Sequence, residues 1–423
     1  MTADAEMNLV DPDVYWRGGP PHEQFAWLRE HAPVFWHANG GAPGWPGFWA
    51  VTRHADVLHV TRHPEIFSSA PRTGAFPEWS DQAVDRMRVM MINMDPPQHS
   101  RLRTLVNRGF TPRMIGQLKA HITEICHGIL DEVTKRGDAD FVADIAAPLP
   151  THVICELVGA RPEDRDRIFE LSNRMVGFDD PEFSGPPGER MQALMEMFGY
   201  ASELAEQRRE QPRDDIVTRL LQPDGTGEVL TSLEFNFFFL LLIVAGNETT
   251  RNAAAGGMVA FFEHPAQWQR LVADPALAPI AAEEVVRWVS PANLVRRTAI
   301  RDTELGGQRI AAGDKVVAFL ASANRDHRVF ATPQEFDIGR NPNPHVAFGN
   351  GPHFCLGRHL AALELEVLLA ALAERTPDIR PGGEVSRLRS NFLNGIKRMP
   401  VVLTAPAGGQ RMTARQPAIT SGM

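Results

Sequence analysis

The spacing of apolar residues divides the chain into a helical body and a smaller part made of strands and turns. Helical periodicity dominates from about residue 95 to residue 262. Short strands and turn residues follow between residues 291 and 346, where Lys315–Phe319 is a predicted strand. Phe48–Val51 is a similar strand near the start of the chain. The pattern predicts a mainly α fold with a small β portion.

The longest predicted helix begins after Thr231 and runs to about Phe262. Thr231 and Glu234 have the spacing of a capping box. About thirty residues at ~1.5 Å each span roughly 45 Å, enough to cross a whole domain. The middle of this helix reads Ala245-Gly-Asn-Glu-Thr-Thr250. A glycine followed by hydroxyls that bond back to carbonyls predicts a local opening or kink there.

No repeat and no linker rich in Gly, Ser or Pro divides the 423 residues. We therefore predict one domain over residues 1–405, followed by a disordered tail over residues 406–423 made of small and polar residues. A hydrophobic content of 43% is sufficient for a large core. The formal net charge of −9 argues against nucleic acid as a partner.

The cysteines are few and scattered, at positions 126, 155 and 355. Their number and spacing indicate neither a disulfide framework nor a zinc site, and they suit a reducing compartment. The first residues are polar and acidic, and the most apolar run, Phe237–Ala245, is far shorter than the roughly 20 residues that cross a bilayer. We predict a soluble, cytoplasmic protein that does not bind a membrane.

Cys355 lies in the run Phe348-Gly-Asn-Gly-Pro-His-Phe-Cys-Leu-Gly357, directly before a predicted helix. A thiol at a helix N-terminus is favoured as the thiolate. Gly351 and Gly357 allow the backbone to turn tightly and to approach a flat ligand closely. Such a thiolate suits axial ligation of a haem iron. The alternative is a buried structural cysteine.

The pattern Phe-x-x-Gly-x-His-x-Cys-x-Gly resembles the haem-binding signature of the cytochromes P-450. The resemblance implies haem b as cofactor, held between the long kinked helix and the helix after Cys355, which would be the axial ligand of the iron. It also implies that Phe348, Gly351, Gly357 and Gly246 lie against the haem.

Glu248 and Thr249 resemble the acid–alcohol pair in the central helix of that family. Activation of O2 consumes two protons, and the resemblance implies that the Glu248 carboxylate relays them while the Thr249 hydroxyl orients the oxygen. Without the cysteine motif, the same pair would be interpreted as a solvated glutamate and a threonine that caps a kink.

Glu284 and Arg287 lie three residues apart on a predicted helix, a spacing that on a surface contributes only tenths of a kcal/mol. In the family, the matching pair meets a second arginine, which corresponds to Arg340 here. The resemblance therefore implies a buried triad that supports the haem loop. Removing one member of such a buried group costs several kcal/mol.

Asp95 is predicted to cap a helix, with Pro96 at its first position. By resemblance, four basic residues contact the haem propionates: His99, Arg103, Arg297 and His353. The histidine at 353 stands where many relatives carry arginine.

The resemblance also implies five mainly apolar segments near substrate: 72–91, 175–183, 242–246, 292–295 and 392–394. The pocket residues expected within them are Val244, Ala245, Leu294, Val295, Phe392 and Leu393. Apolar, Met- and Phe-rich linings favour a lipophilic ligand. The segments look most like an actinobacterial branch whose members hydroxylate sterol side chains, branched lipids or terpenoids.

We therefore predict a monooxygenase that inserts one atom of O2 into a C–H bond of a lipophilic small molecule. Electrons would come from NAD(P)H through a ferredoxin reductase and a ferredoxin that docks on a basic patch: Arg101, Arg108, Arg113 and Arg358. Two alternatives stay open. One is a thiolate-haem enzyme that uses peroxide, as a peroxygenase or a peroxide isomerase, and the other is a non-catalytic haem sensor.

Overall fold

The computed structural model describes residues 7–38, 46–74, 76–107, 109–176, 179–186, 188–223 and 227–403. It is 55% helical and 11% strand, which confirms the predicted fold class. The tail predicted over residues 406–423 lies outside these ranges, and the single domain over residues 1–405 stays a prediction. Among the described residues, no helix is both long enough and apolar enough to cross a bilayer.

Sixteen α-helices lie within these ranges: α1 Pro12–Gly18, α2 His22–His31, α3 His54–Arg62, α4 Asp81–Met87, α5 Gln98–Asn107, α6 Pro112–Gln117, α7 Lys119–Arg136, α8 Pro148–Leu157, α9 Arg165–Val176, α10 Glu189–Glu210, α11 Ile216–Leu221, α12 Ser232–Glu263, α13 Pro265–Ala273, α14 Ala278–Val289, α15 Leu320–Ala323 and α16 Arg358–Arg375.

Twelve short strands are found in the same part of the chain: β1 Val34–His37, β2 Phe48–Val51, β3 Phe67–Ser68, β4 Asp138–Asp140, β5 Leu294–Ala299, β6 Thr303–Leu305, β7 Gln308–Ile310, β8 Lys315–Phe319, β9 Arg380–Pro381, β10 Ser386–Arg387, β11 Ile396–Arg398 and β12 Pro400–Val402. The strands predicted at 48–51 and 315–319 are both confirmed.

The largest sheet has the order β1-β2-β8-β5-β3, with β2 and β8 parallel and the other pairs antiparallel. Successive side chains of a strand point to opposite faces. Leu294 accordingly joins a core with Phe48 and Phe76 on one face, whereas Val295 packs on the other face near Val316. The sheet is therefore apolar on both sides.

Helix α12 is the centre of the helical body and packs against α8, α10, α14 and α16. The capping box is present, since the Thr231 hydroxyl accepts from the Glu234 N–H and the Glu234 carboxylate accepts from the Thr231 N–H. Eighteen of its residues are buried, as expected for a helix that is apolar on all sides. Helix α12 continues through Gly246 without interruption. The local opening predicted there is therefore not a break in the helix.

The start of α5 differs from the prediction. The helix begins at Gln98, three residues after Asp95, and the Asp95 carboxylate accepts hydrogen bonds from the Ser68 hydroxyl and the Ser69 N–H. Asp95 therefore does not cap α5, because side-chain and backbone donors at the end of β3 use its oxygens instead. His99 still lies in the first turn of the helix, with its N–H on the Asp95 carbonyl at 2.9 Å.

Candidate active site

The loop before α16 holds Cys355 at the helix N-terminus. Gly351 adopts φ 67°, and a Cβ atom there would lie 2.3 Å from the Thr61 carbonyl oxygen, so only glycine fits. The Cys355 N–H donates to the Phe348 carbonyl at 2.9 Å, which closes the loop. Burial raises the pKa of the Cys355 thiol, while the Gly357 N–H and nearby arginines act in the opposite direction.

His99 of α5 and His353 of this loop are distant in sequence, but their rings lie against each other in a tilted arrangement. The ring centroids of His99 and His353 are 4.3 Å apart, and the Ser69 hydroxyl is 3.4 Å from His353 Nε2. Burial, followed by the positive charges of Arg297 and His99, lowers the pKa of His353 to about 3. Burial also lowers the pKa of His99.

Arg103 and Arg297 complete this basic group. Arg103 donates from Nε to Asn107 Oδ1 at 2.9 Å, and Arg297, which is 5% exposed, donates to the Arg296 carbonyl at 2.7 Å. Burial lowers the pKa of Arg297 to about 10, against the attraction of Asp95. The structure thus brings the four predicted basic residues together.

The chemistry of this donor set fits haem. The four buried or half-buried bases lie together, and Asp95, the carboxylate that acts on His99 and Arg297, already accepts from Ser68 and Ser69. Arg103 and Arg297 carry positive charges, and buried cations need anionic partners, which two propionates would supply. The thiol of Cys355 lies near Arg103, so a single flat group could contact the thiol and the bases together.

One face of α12 is less buried than the rest of the helix. Leu242, Ala245 and Thr249 follow at helical spacing, and each is at least partly exposed although the next turns of the helix are buried. The Thr249 hydroxyl donates to the Ala245 carbonyl at 2.8 Å. Gly246 lies elsewhere on the helix, because a Cβ atom there would be 3.5 Å from Ile154 of α8. Gly246 thus lies at a helix–helix contact.

Glu248 is turned into the protein and is only 3% exposed. Its Oε2 pairs with Arg251, which also donates to Asn173 Oδ1 of α9 at 3.0 Å. Its Oε1 has no partner among the described residues. Burial raises the pKa of Glu248, against the attraction of Arg251. The sequence analysis missed Arg251 and Asn173, although a cation three residues after the acid was a visible signal.

The predicted triad meets in the interior. Arg287 donates to both oxygens of Glu284, at 2.7 and 2.8 Å, and Arg340 Nε lies 3.2 Å from Glu284 Oε2. The remaining N–H groups of the two arginines donate to backbone carbonyls, including that of Glu335. The side chains of Glu284 and Arg287 have no exposed surface. This group links α14 to the segment before the cysteine loop.

The six residues predicted for the substrate pocket divide into two sets. Ala245 is exposed, and Val244, Val295 and Phe392 are half-buried. Leu294 has no exposed surface and Leu393 is 3% exposed. Successive side chains of β5 point to opposite faces of the sheet, and Leu294 packs in the core that contains Phe48 and Phe76. Leu393 is paired with Ala292 by a backbone bridge. These two leucines are therefore core residues rather than exposed pocket walls.

The predicted basic patch is largely neutralised. Arg101 forms ion pairs with Glu228 at 2.7 Å and Glu234 at 2.8 Å, and Arg358 pairs with Glu283 at 3.1 Å. Arg113 is exposed, and Arg108 lies outside the described residues. Carboxylates distant in sequence therefore reduce the positive charge of the predicted patch at Arg101 and Arg358, and ferredoxin docking stays a prediction.

A sequence profile for cytochrome P-450 matches residues 277–375. A steroid C26-monooxygenase of Rhodococcus jostii is 43% identical over 96% of this chain and 88% of its own length. The chain belongs to the cytochrome P-450 family. A methyl-branched lipid omega-hydroxylase of Mycobacterium tuberculosis is another P-450 relative, 42% identical over 89% of this chain and 90% of its own.

The fold is also that of solved cytochromes P-450. A Mycobacterium marinum cytochrome P-450 in complex with pseudoionone is 36% identical and superimposes with a TM-score of 0.86, over 94% of this chain and 98% of that one. The protein is a cytochrome P-450 monooxygenase, which confirms the predicted enzyme class, and haem is the cofactor of this family.

Proposed function

We propose that Cys355 would bind the iron of haem b as a thiolate and that His99, Arg103, Arg297 and His353 would hold its propionates. The observation that carries this proposal is that a thiol at a helix N-terminus lies near Arg103, which forms one group of bases with His99, Arg297 and His353. Phe348 and the glycines at 351 and 357 shape the loop around the ligand. The triad of Glu284, Arg287 and Arg340 links α14 to the segment that precedes this loop.

Haem, when bound, would supply the activation of O2. Residues of the chain would supply the protons and orient the oxygen. Thr249 lies on the partly exposed face of α12, where its hydroxyl, now on the Ala245 carbonyl, could instead donate to a ligand. Glu248 is one residue away, and its Oε1 has no partner in the part of the chain that the structure describes. A carboxylate whose pKa is raised by burial keeps its proton to a higher pH than a solvated carboxylate does, as a proton donor requires. We assign proton supply to Glu248 and orientation to Thr249.

The substrate we propose is a steroid with an alkyl side chain, hydroxylated at a terminal C–H bond. Two relatives, the steroid C26-monooxygenase and the methyl-branched lipid omega-hydroxylase, both act at the end of an alkyl chain. Ala245, Val244 and Val295 offer small apolar surfaces that suit such an end. A branched lipid is the second candidate, and the bound pseudoionone of the structural neighbour makes a terpenoid the third.

Electrons, in this proposal, pass from NAD(P)H through a reductase and an acidic ferredoxin. The exposed Phe354, next to Cys355, and the exposed Arg113 are the docking residues we favour. Because Arg101 is already paired with two carboxylates, Arg113→Gln should raise the KM for ferredoxin about threefold and Arg101→Gln less. Equal effects of the two substitutions would contradict this docking surface.

The first test is the reduced, carbon monoxide-bound difference spectrum of the purified protein. A strongly red-shifted Soret band is expected for the natural chain, and its loss in Cys355→Ser. Cys126→Ala is the matched control, since Cys126 is buried in α7 away from the loop, and it should keep the band. Retention of the band in Cys355→Ser would refute the ligand assignment.

Substrate and oxidant are tested with the same preparation. A steroid bearing an alkyl side chain should give a spin-state shift at lower concentration than a methyl-branched fatty acid or pseudoionone. Product should form with NADH, reductase and ferredoxin. Product formation with peroxide alone, and none with the ferredoxin system, would support the peroxide-using alternative. Binding without any substrate-dependent NADH consumption would support the haem sensor.

A further inference from the structure

Glu283 lies beside the triad residue Glu284 on α14, but it contacts a different part of the molecule. Its Oε1 accepts from Arg358 at 3.1 Å and its Oε2 accepts from His345 Nε2 at 2.9 Å. His345 is three residues before Phe348, and Arg358 is the first residue of α16, three after Cys355. One carboxylate thus holds both ends of the cysteine loop.

The two ring nitrogens of His345 have different neighbours. The Ala347 N–H donates to His345 Nδ1 at 3.3 Å, and His345 Nε2 lies 2.9 Å from Glu283 Oε2. Glu283 and Arg358 carry one negative and one positive charge, which cancel.

Phe348 is enclosed by the same two partners. Its ring centroid is 5.7 Å from the His345 ring and 5.7 Å from the guanidinium carbon of Arg358. The Phe348 carbonyl in turn accepts from the Cys355 N–H at 2.9 Å. A displacement of Arg358 or His345 is thus transmitted to the cysteine through one side chain and one hydrogen bond.

We propose that Glu283 is a positioning residue that neutralises Arg358 beside Cys355 and thereby sets the reduction potential of the bound haem. The proposal rests on ligation by Cys355, which the carbon monoxide spectrum tests separately. Hydrogen bonding and local charge around the ligand are established levers on haem potentials. Both side chains are only partly exposed, 27% for Glu283 and 33% for Arg358, so water screens their charges incompletely.

The sign of the effect follows from charge alone. Reduction adds one negative charge at the iron, so a more positive surrounding favours the reduced state. Glu283→Gln removes a negative charge, keeps the size of the side chain and leaves Arg358 unneutralised, which should make the potential more positive. Arg358→Met removes the positive charge and should make it more negative. The double variant restores the net charge and should return close to the natural value.

The experiment is an equilibrium redox titration of the haem-loaded protein with mediator dyes and no ferredoxin present. Glu366→Gln is the matched control, because Glu366 lies on α16 in an ion pair with Lys119 at 2.5 Å, outside the loop contacts. Haem loading and the carbon monoxide band are recorded for every variant. A role in folding alone would lower loading without producing shifts of opposite sign that cancel in the double variant.

Shifts of the same sign in both single variants, or shifts no larger than that of Glu366→Gln, would overturn the proposal. If Glu283→Gln does not load haem, Arg358→Met decides the question, since a negative shift supports the proposal and an unchanged potential refutes it. Replacement of Glu283 with Asp, which keeps the charge on a shorter side chain, should shift the potential less than Gln does.

Discussion

Two glutamate–arginine pairs in this molecule share one local pattern and differ in everything around it. Glu284 and Arg287 on α14, like Glu248 and Arg251 on α12, are three residues apart, ion-paired and buried. Around Glu284, four donor residues converge: Arg287, Arg340, Asn343 and the backbone N–H of Asp337. Glu248 has Arg251 alone, and its second oxygen has no described partner.

The arginines repeat this contrast. Arg287 also donates to the carbonyls of Asn324, Pro333 and Glu335, whereas Nε of Arg251 is buried without a partner in the described chain. A fully hydrogen-bonded buried charge is held in one place and one protonation state, while a partly bonded one retains the capacity to bind something else. The first pair suits a scaffold and the second suits proton exchange.

The largest effect is expected from breaking the saturated pair. Glu284→Gln leaves two buried arginines without a counter-charge and should lower the free energy of unfolding by about 3–5 kcal/mol, with most of the haem lost. Thermal unfolding measures the loss of stability, and the haem-to-protein absorbance ratio measures the loss of haem. Arg328→Lys, in an exposed pair with Glu30, is the control and should change stability little. Normal haem content in Glu284→Gln would contradict the scaffold role.

Breaking the unsaturated pair should instead reduce the rate and leave the protein folded. Glu248→Gln removes the exchangeable proton while keeping the side-chain size, and we expect product formation to fall by about 100-fold. The free energy of unfolding should change far less than it does in Glu284→Gln. The slower step should also show a larger solvent deuterium effect on the rate of product formation. A stability loss as large as that of Glu284→Gln would mean that both pairs are structural.

Thr249 tests whether the exposed face of α12 manages oxygen. Thr249→Ala should divert about tenfold more NADH into peroxide per product molecule, because a methyl group cannot orient the oxygen. Thr250→Ala is a close control, since its hydroxyl also bonds back along the helix, to the Gly246 carbonyl at 3.2 Å, but the residue is buried. The Thr250→Ala variant should form as much product per NADH consumed as the natural chain does. Peroxide release that is unchanged in Thr249→Ala would refute the assigned role.

Glu364 is a third buried glutamate to set beside Glu284 and Glu248. Like Glu248, it has one buried oxygen, Oε2, without a partner among the described residues. Burial raises its pKa from 4.5 to about 8. The folded state therefore retains a proton that the unfolded chain releases between these values, and stability should fall as pH rises through that window, by at most ~1.4 kcal/mol per pH unit. Below pH 4.5 the proton is bound in both states and this contribution is constant.

Glu364→Gln should remove this dependence and be more stable than the natural chain at pH 8. Urea unfolding of the haem-loaded protein at pH 5.5, 7 and 8 measures it. Glu366→Gln, two residues further along α16 and ion-paired at the surface, should keep the natural pH dependence. Parallel pH profiles for the natural chain and Glu364→Gln would show that Glu364 is ionised in the folded state.

Features set by neighbours in the chain were predictable from the sequence. The capping box at Thr231, the strand Lys315–Phe319 and the position of Cys355 at a helix N-terminus depend on a few adjacent residues, and all three are present. The mainly α fold follows from apolar spacing in the same way. The four bases and the triad could be named before their contacts were known, but only through the resemblance to a family.

Tertiary structure decided which partner each polar group found. Asp95 bonds to Ser68 rather than capping α5, Arg101 pairs with Glu228, and Arg251 reaches Asn173. Each of these groups had an equally reasonable local alternative, solvent or a backbone N–H. The choice between a nearby partner and one distant in sequence depends on which surfaces packing brings together, and an isolated stretch of sequence does not contain that information.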